Sequence, residues 1–150
     1  MAPMLLMIQA VSENIALFCC ALFTGGSVYI SLVEHPATRA GGASLASTYF
    51  VVAHPRPAVL LALFASLAAL AGLLNAFAGG GAAWAIGGIV LGASAVVHLA
   101  MVLPATRQLS EIDPDARPDE AGALLARLSR LHAGLSLASL GALSAFIMHG

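Results

Sequence analysis

Residues 58–78 read AVLLALFASLAALAGLLNAFA, a run of 21 residues without a charged side chain. A helix of about 20 consecutive apolar residues crosses the roughly 30 Å hydrocarbon core of a bilayer. The composition agrees, because 60% of the 150 residues are hydrophobic and 9% are charged. A soluble domain carries about a quarter of its residues as Asp, Glu, Lys and Arg. The sequence therefore predicts an integral membrane protein with a single domain over residues 1–150.

Three further apolar stretches extend this prediction to an all-α, four-helix transmembrane bundle. We expect the first span over about 14–34, after an apolar extension at 4–11. The third is expected over 82–103, ending at Pro104 because proline breaks a helix interior. The fourth begins at Pro118 with an amphipathic cytoplasmic extension that leads into the membrane. The apolar residues of this extension recur at helical spacing: Ala121, Leu124, Leu125, Leu128 and Leu131.

The arginines predict the orientation of the bundle. All six basic residues are arginines, and they lie on the side of the two longer connections, 35–55 and 104–130. Cytoplasmic loops are enriched in Lys and Arg. We therefore expect an N-out, C-out topology, most simply in the bacterial inner membrane. The chain has six basic and seven acidic residues, so it lacks the basic surface needed to bind nucleic acid.

Ionisable residues near the ends of the spans are the candidate functional groups, because a charge at the bilayer centre costs about 2.5–3.5 kcal/mol or more. In the predicted topology, five of them converge near the cytoplasmic surface: Glu34, His35, His54, His98 and His132. Imidazole binds transition metals and haem iron, and a carboxylate acts as a base. His54 precedes Pro55 in a connection, so we expect its side chain to reach water and to matter less than His132.

Three blocks of the sequence resemble a family of small membrane proteins. VYISLVEHPA (28–37) is similar to the end of the first helix in the DUF1772 family, the anthrone-oxygenase-like proteins. LPATRQL (103–109) and LLARLSRLHA (124–133) resemble the segment after its third helix and the opening of its last helix. The resemblance implies a four-helix membrane fold and the oxidation of anthrones to anthraquinones. It places functional weight on Tyr29, Glu34, His35, Pro36 and His132.

The chain departs from the family pattern at three places near the expected site. Ala105-Thr106 stands where Thr-Asn is usual, Leu128 replaces a Trp, and Leu135 replaces an Arg. The last two departures remove an aromatic ring and a cation. The substrate of this chain is therefore left open by the resemblance.

Two functional hypotheses place chemistry in this group of residues. In the first, a membrane oxidoreductase admits a lipophilic aromatic or quinone-like molecule from the lipid, with Glu34, His132 and Tyr29 as catalytic residues. A metal-dependent and a cofactor-free oxidation are both open at this point. In the second, a non-catalytic subunit binds haem or a transition metal through His98 together with His35 or His132.

A third hypothesis is a purely structural role. Gly88 and Gly92 form a Gly-x-x-x-Gly pair, which is typical of close helix packing in membranes. Such small-residue faces would pack against partner helices in a homo-oligomer or in a larger membrane complex.

The orientation is testable, because the 104–130 connection carries four of the six arginines. A cysteine introduced at Ser110, with Cys19 and Cys20 replaced, is expected to resist membrane-impermeant thiol reagents in intact cells. The same cysteine should react once the cells are opened. Ready labelling in intact cells would place this connection outside and reverse the bundle.

Overall fold

The computed structural model describes residues 2–149, and every regular element among them is helical. Three π-helical turns follow long helices, at Ile30–Glu34, Ala76–Gly80 and His98–Val102. The α-helices, in chain order, are α1 (Ala2–Tyr29), α2 (His35–Ala40), α3 (Ala43–Val52), α4 (Pro55–Asn75), α5 (Ala82–Val97), α6 (Leu103–Ser110) and α7 (Pro118–His149).

The four long helices form a closed ring in which α1 and α5 each pack against both α4 and α7. Four stretches are long and apolar enough to cross a membrane: Pro3–Ala40, Pro55–Gly80, Ala82–Ser110 and Pro118–His149. Large apolar side chains cover the outside of the ring, as at Phe18, Leu70 and Ile89. The predicted all-helical bundle with four apolar spans is therefore confirmed, whereas its orientation stays a prediction.

Two prolines lie inside continuous helical rods. In the first span, α1, the π-helical turn and α2 run on through Pro36. In the third span, α5, the π-helical turn and α6 run on through Pro104. In an α-helix, proline removes a hydrogen bond and collides with the carbonyl four residues earlier. Here a π-helical turn precedes each proline, and its wider i→i+5 pattern accommodates the ring. The expectation that the third span ends at Pro104 is therefore wrong.

The short helix α3 lies across the end of the bundle that bears the long connections. It packs against α2, α4, α6 and the first half of α7. Its buried face consists of Ala46, Ser47 and Phe50. The first half of α7 turns Ala121, Leu125 and Leu128 inward, as the helical spacing predicts. The location of this half of α7 in the cytoplasm stays a prediction.

Two polar residues tie the helices together at the opposite end. Nδ2 of Asn75 donates a hydrogen bond to the carbonyl of Gln9 at 3.0 Å. Nε1 of Trp84 donates to the carbonyl of His149 at 3.1 Å, and the indole stacks on Phe146 with 4.5 Å between ring centroids. Both side chains are buried, so they join helices and do not face the membrane surface.

Helices α4 and α5 approach each other closely at Gly72 and Gly88. A Cβ atom on Gly88 would lie 3.0 Å from the carbonyl oxygen of Ala69, and one on Gly72 would lie 3.3 Å from Cα of Gly88. At Gly92 a Cβ would meet only the Cβ of Ala69, at an ordinary 3.7 Å. The Gly88 face is thus occupied by α4 of the same chain.

Alanine substitution, which adds one methyl group, tests this difference between Gly88 and Gly92. We expect Gly88→Ala to lower the free energy of unfolding by about 1–3 kcal/mol, because the backbone oxygen of Ala69 cannot yield to the added methyl. Gly92→Ala is the matched control and should change stability little. Thermal unfolding of both variants in the same detergent measures the effect. Equal stability of the two would contradict the close approach at Gly88.

Candidate functional site

Four of the five histidines lie together inside the bundle, at the end covered by α3. His35, His54, His98 and His132, here named the histidine cluster, have exposed fractions of 1%, 1%, 0% and 0%. His35 begins α2, His54 precedes α4, His98 begins the π-helical turn after α5, and His132 lies within α7. The fifth, His149, is exposed. All four spans therefore bring an imidazole to one level of the bundle.

His132 is the central member of the cluster. Its ring centroid lies 4.8 Å from that of His54, 5.1 Å from that of His35 and 6.1 Å from that of His98. His54 and His98 are 6.4 Å apart. Phe50 of α3 covers the group, stacking on His35 at 4.4 Å and meeting His54 edge-on at 5.4 Å. The cluster is thus a packed unit of four imidazoles beneath an aromatic ring.

Hydrogen bonding leaves most of the ring nitrogens unused. One bond lies within the cluster, between Nε2 of His35 and Nδ1 of His132 at 3.0 Å, and the tautomer decides which nitrogen donates. Six other buried ring nitrogens have no partner in the protein: Nδ1 of His35, both nitrogens of His54, both of His98, and Nε2 of His132. Buried polar atoms are usually bonded, and each exception costs about 1–3 kcal/mol. Six exceptions at one place make the cluster the candidate ligand-binding site.

The cluster contains no charged partner. All seven carboxylates and all six guanidinium groups of the chain belong to residues that are at least partly exposed. Burial first, and then His98 and His35, lower the pKa of His54 to about 4. His54 is therefore a neutral imidazole at physiological pH, the form that ligates metals.

Two widened turns position half of the cluster. His35 directly follows the π-helical turn Ile30–Glu34, and His98 begins the turn His98–Val102. Both turns also carry the helix past a proline, Pro36 or Pro104. Single π-helical turns inside α-helices occur frequently at functional sites. Each π-helical turn therefore accommodates a proline and also sets the direction of the neighbouring imidazole.

The predicted catalytic residues Tyr29 and Glu34 lie outside the cluster. Tyr29 is 54% exposed on the outer face of α1. Glu34 is partly exposed beside Tyr49 of α3; burial first, and then the Glu34 carboxylate, raise the pKa of Tyr49. Consecutive helical residues point about 100° apart, so the inward direction of His35 turns Glu34 away.

Among the described residues, no polar bond joins Glu34 to the entry of the fourth helix. In the described residues 2–149, Glu34 forms no ion pair or side-chain hydrogen bond with Arg130 or His132. The one ion pair found there joins Arg117 and Glu120, both at the surface.

His54 corrects another expectation, since its side chain does not reach water. Although it precedes Pro55 in a connection, the fold of α3 over the bundle end brings Phe50 onto its ring. The covering helix acts through tertiary contacts, so the position of His54 before Pro55 does not indicate its burial. The family departures Ala105, Leu128 and Leu135 are likewise buried, with exposed fractions of at most 4%, and pack as apolar core.

Metal ligation requires a change of ring orientation. Within residues 2–149, no three His, Cys, Asp or Glu side chains hold their donor atoms around one metal position as they stand. The χ2 torsion of histidine is broad, so rotation about it redirects the nitrogens while the ring stays in place.

Five grooves on the described bundle do not reach the cluster. Their volumes are about 200–360 Å³, and none of the five is lined by a cluster histidine. One of about 260 Å³ lies between α1 and α7 and includes Ser31 and Ser136. These hydroxyls are 2.9 Å apart, and Ser136 Oγ donates to the carbonyl of His132 at 2.8 Å. Ser136, which lines this groove, is therefore hydrogen-bonded to the backbone of the central histidine.

Comparison with family models, curated proteins and solved structures gave no match to this chain. The resemblance to the DUF1772 family accordingly stays a prediction.

The burial of the cluster is testable by chemical modification. In detergent, after treatment with a metal chelator, we expect diethylpyrocarbonate to modify His149 rapidly and the four cluster histidines only after unfolding. Mass spectrometry of the digested protein counts the modified residues. Rapid modification of His54 or His132 in the folded protein would contradict the enclosed arrangement.

Proposed function

We propose that this protein is a membrane oxidoreductase whose histidine cluster binds a transition metal ion as the redox centre. Its expected location is the bacterial inner membrane, and its expected substrate is a lipophilic aromatic or quinone-like molecule. The observation that carries the proposal is the set of six unpartnered nitrogens on four fully buried imidazoles. Neutral imidazole is the commonest side-chain ligand for such ions.

The spacing of the rings supports a single ion. A metal–nitrogen bond of about 2.0–2.1 Å in tetrahedral geometry separates the centres of four ligating imidazoles by roughly 5 Å. The observed separations around His132 are 4.8, 5.1 and 6.1 Å. To bring four nitrogens to one point, the rings would have to reorient, and those of His54 and His98, now 6.4 Å apart, would have to move closer together.

The packing also disfavours two competing chemistries. A haem plane would have to enter between rings that already contact one another beneath Phe50. Proton abstraction by a neutral, buried histidine would leave an imidazolium with no carboxylate to stabilise it, since Glu34 lies outside the cluster. Metal ligation uses the imidazoles in the neutral form that burial favours.

The groove between α1 and α7 supports lateral access for the substrate. Its rim includes Leu32 and Leu137, each 72% exposed on the lipid-facing surface. For an anthrone, the reaction balances with dioxygen: the methylene carbon loses two hydrogens and gains one oxygen atom as a carbonyl, and the second oxygen atom leaves as water. The family resemblance supports this class of substrate.

A metal-binding accessory subunit is the second candidate function. It is favoured by the observation that none of the five grooves is lined by a cluster histidine. In that case the protein binds metal but does not oxidise an anthrone.

Metal analysis and turnover test the proposal together. Protein purified in detergent should carry about one transition metal ion per chain, and His132→Ala should lose it. Oxygen uptake with an anthrone should fall by about 10²-fold or more in the same variant, the scale for loss of a positioned catalytic group. His149→Ala is the matched control, because His149 lies exposed outside the cluster.

Each outcome separates the candidates. A metal-loaded protein without turnover would favour the accessory subunit. Metal-free protein that oxidises the substrate, or His132→Ala protein that keeps its metal, would overturn the proposal. A His132→Gln variant and circular dichroism in detergent distinguish loss of the site from loss of the fold.

A further inference from the structure

We infer that the ion held by the histidine cluster is monovalent copper. The inference rests on the proposed metal-binding function and adds the identity and charge of the ion. It follows from what surrounds the four imidazoles, namely the absence of any anionic ligand.

The cluster has no anionic group to balance the charge of a bound ion. None of the seven carboxylates belongs to a buried residue, and Glu34, which neighbours His35 in sequence, is turned outward. The charged residue one helical turn beyond His35 is Arg39, a cation. Four neutral imidazoles therefore leave the full charge of the ion uncompensated.

The cost of burying an uncompensated ion depends on its charge. In a low-dielectric interior the Born energy grows with the square of the charge, so a divalent ion costs about four times as much as a monovalent one. Around the histidines the same helices bury Val102, Ala105 and Leu128. This apolar environment penalises Zn²⁺, Fe²⁺ and Ni²⁺ more than Cu⁺.

The kind of ligand present also favours copper among monovalent ions. Among monovalent ions, copper takes imidazole readily, whereas hard cations prefer oxygen ligands. Thiolate ligation is the usual alternative for Cu⁺, but the two cysteines lie elsewhere. Sγ of Cys20 is 3.9 Å from the carbonyl of Ser139, seven residues and about 10 Å along α7 from His132. The site is therefore an all-imidazole one.

The same charge penalty favours Cu⁺ over Cu²⁺ within the cluster. The reduced ion is the resting form, and the reduction potential of the couple is raised relative to copper in water.

Competitive titration tests the inference. Metal-free protein in detergent is titrated anaerobically with Cu⁺ against bicinchoninate, a chromophoric chelator, and with Zn²⁺ against a zinc-specific chromophore. We expect one Cu⁺ per chain and a drop in affinity of about 10²-fold or more in His132→Ala. A Cys19→Ser, Cys20→Ser variant should bind copper as the parent does.

A pair of variants at His54 isolates the role of charge. His54→Asp adds a carboxylate to the cluster, and His54→Asn is its neutral match of the same size. The ratio of Cu⁺ to Zn²⁺ affinity should be at least about 10-fold lower in the Asp variant, because the anion compensates a divalent ion. If His54→Asp does not fold, the parent titration still decides between the ions.

The outcomes distinguish the two levels of the proposal. Zn²⁺ binding as tight as that of Cu⁺ in the parent protein would overturn the copper assignment and leave the metal site. No binding of either ion would overturn the proposed function as well. Loss of copper on replacement of the cysteines would place the copper at the thiols and overturn the inference.

Discussion

In the hydrocarbon core of a membrane no water is present to bond a polar group, so the protein itself must satisfy each one or bear a cost of several kcal/mol. The backbone of this chain meets the constraint by forming four long helices. Its hydroxyl groups meet it by bonding carbonyls one turn back, as Ser66 does to Ala62 and Ser94 to Val90. In the described residues nine buried side-chain atoms escape this rule, and six of them belong to the histidine cluster. The function proposed above follows from that concentration.

The fold devotes several features to enclosing the cluster. Two π-helical turns allow the first and third spans to continue past their prolines. The first turn ends just before His35, and the second begins at His98. Helix α3 then folds over the bundle end and places Phe50 on the rings. Every charged side chain is left at least partly exposed. The result is an enclosed, uncharged and nitrogen-rich cluster of side chains.

The features that depend on the length of apolar runs could be predicted from the sequence. Those that depend on tertiary packing could not. The four spans follow from runs such as 58–78, and the shared level of His35, His98 and His132 follows from their positions near the same end of three spans. The enclosure of His54 depends on the tertiary packing of α3, and the passage through Pro104 depends on a π-helical turn, so neither follows from the residues next to it in sequence. Glu34 was misplaced because a shift of one helical position, about 100°, separates inward from outward.

The central claim is that the imidazoles of the cluster together ligate one metal ion. X-ray absorption spectroscopy at the metal edge of the loaded protein tests it most directly. The account predicts a shell of nitrogen neighbours at about 2.0–2.1 Å with the outer-shell signals of three or four imidazoles. A sulfur shell at about 2.3 Å, or a shell of oxygen without imidazole signals, would contradict it.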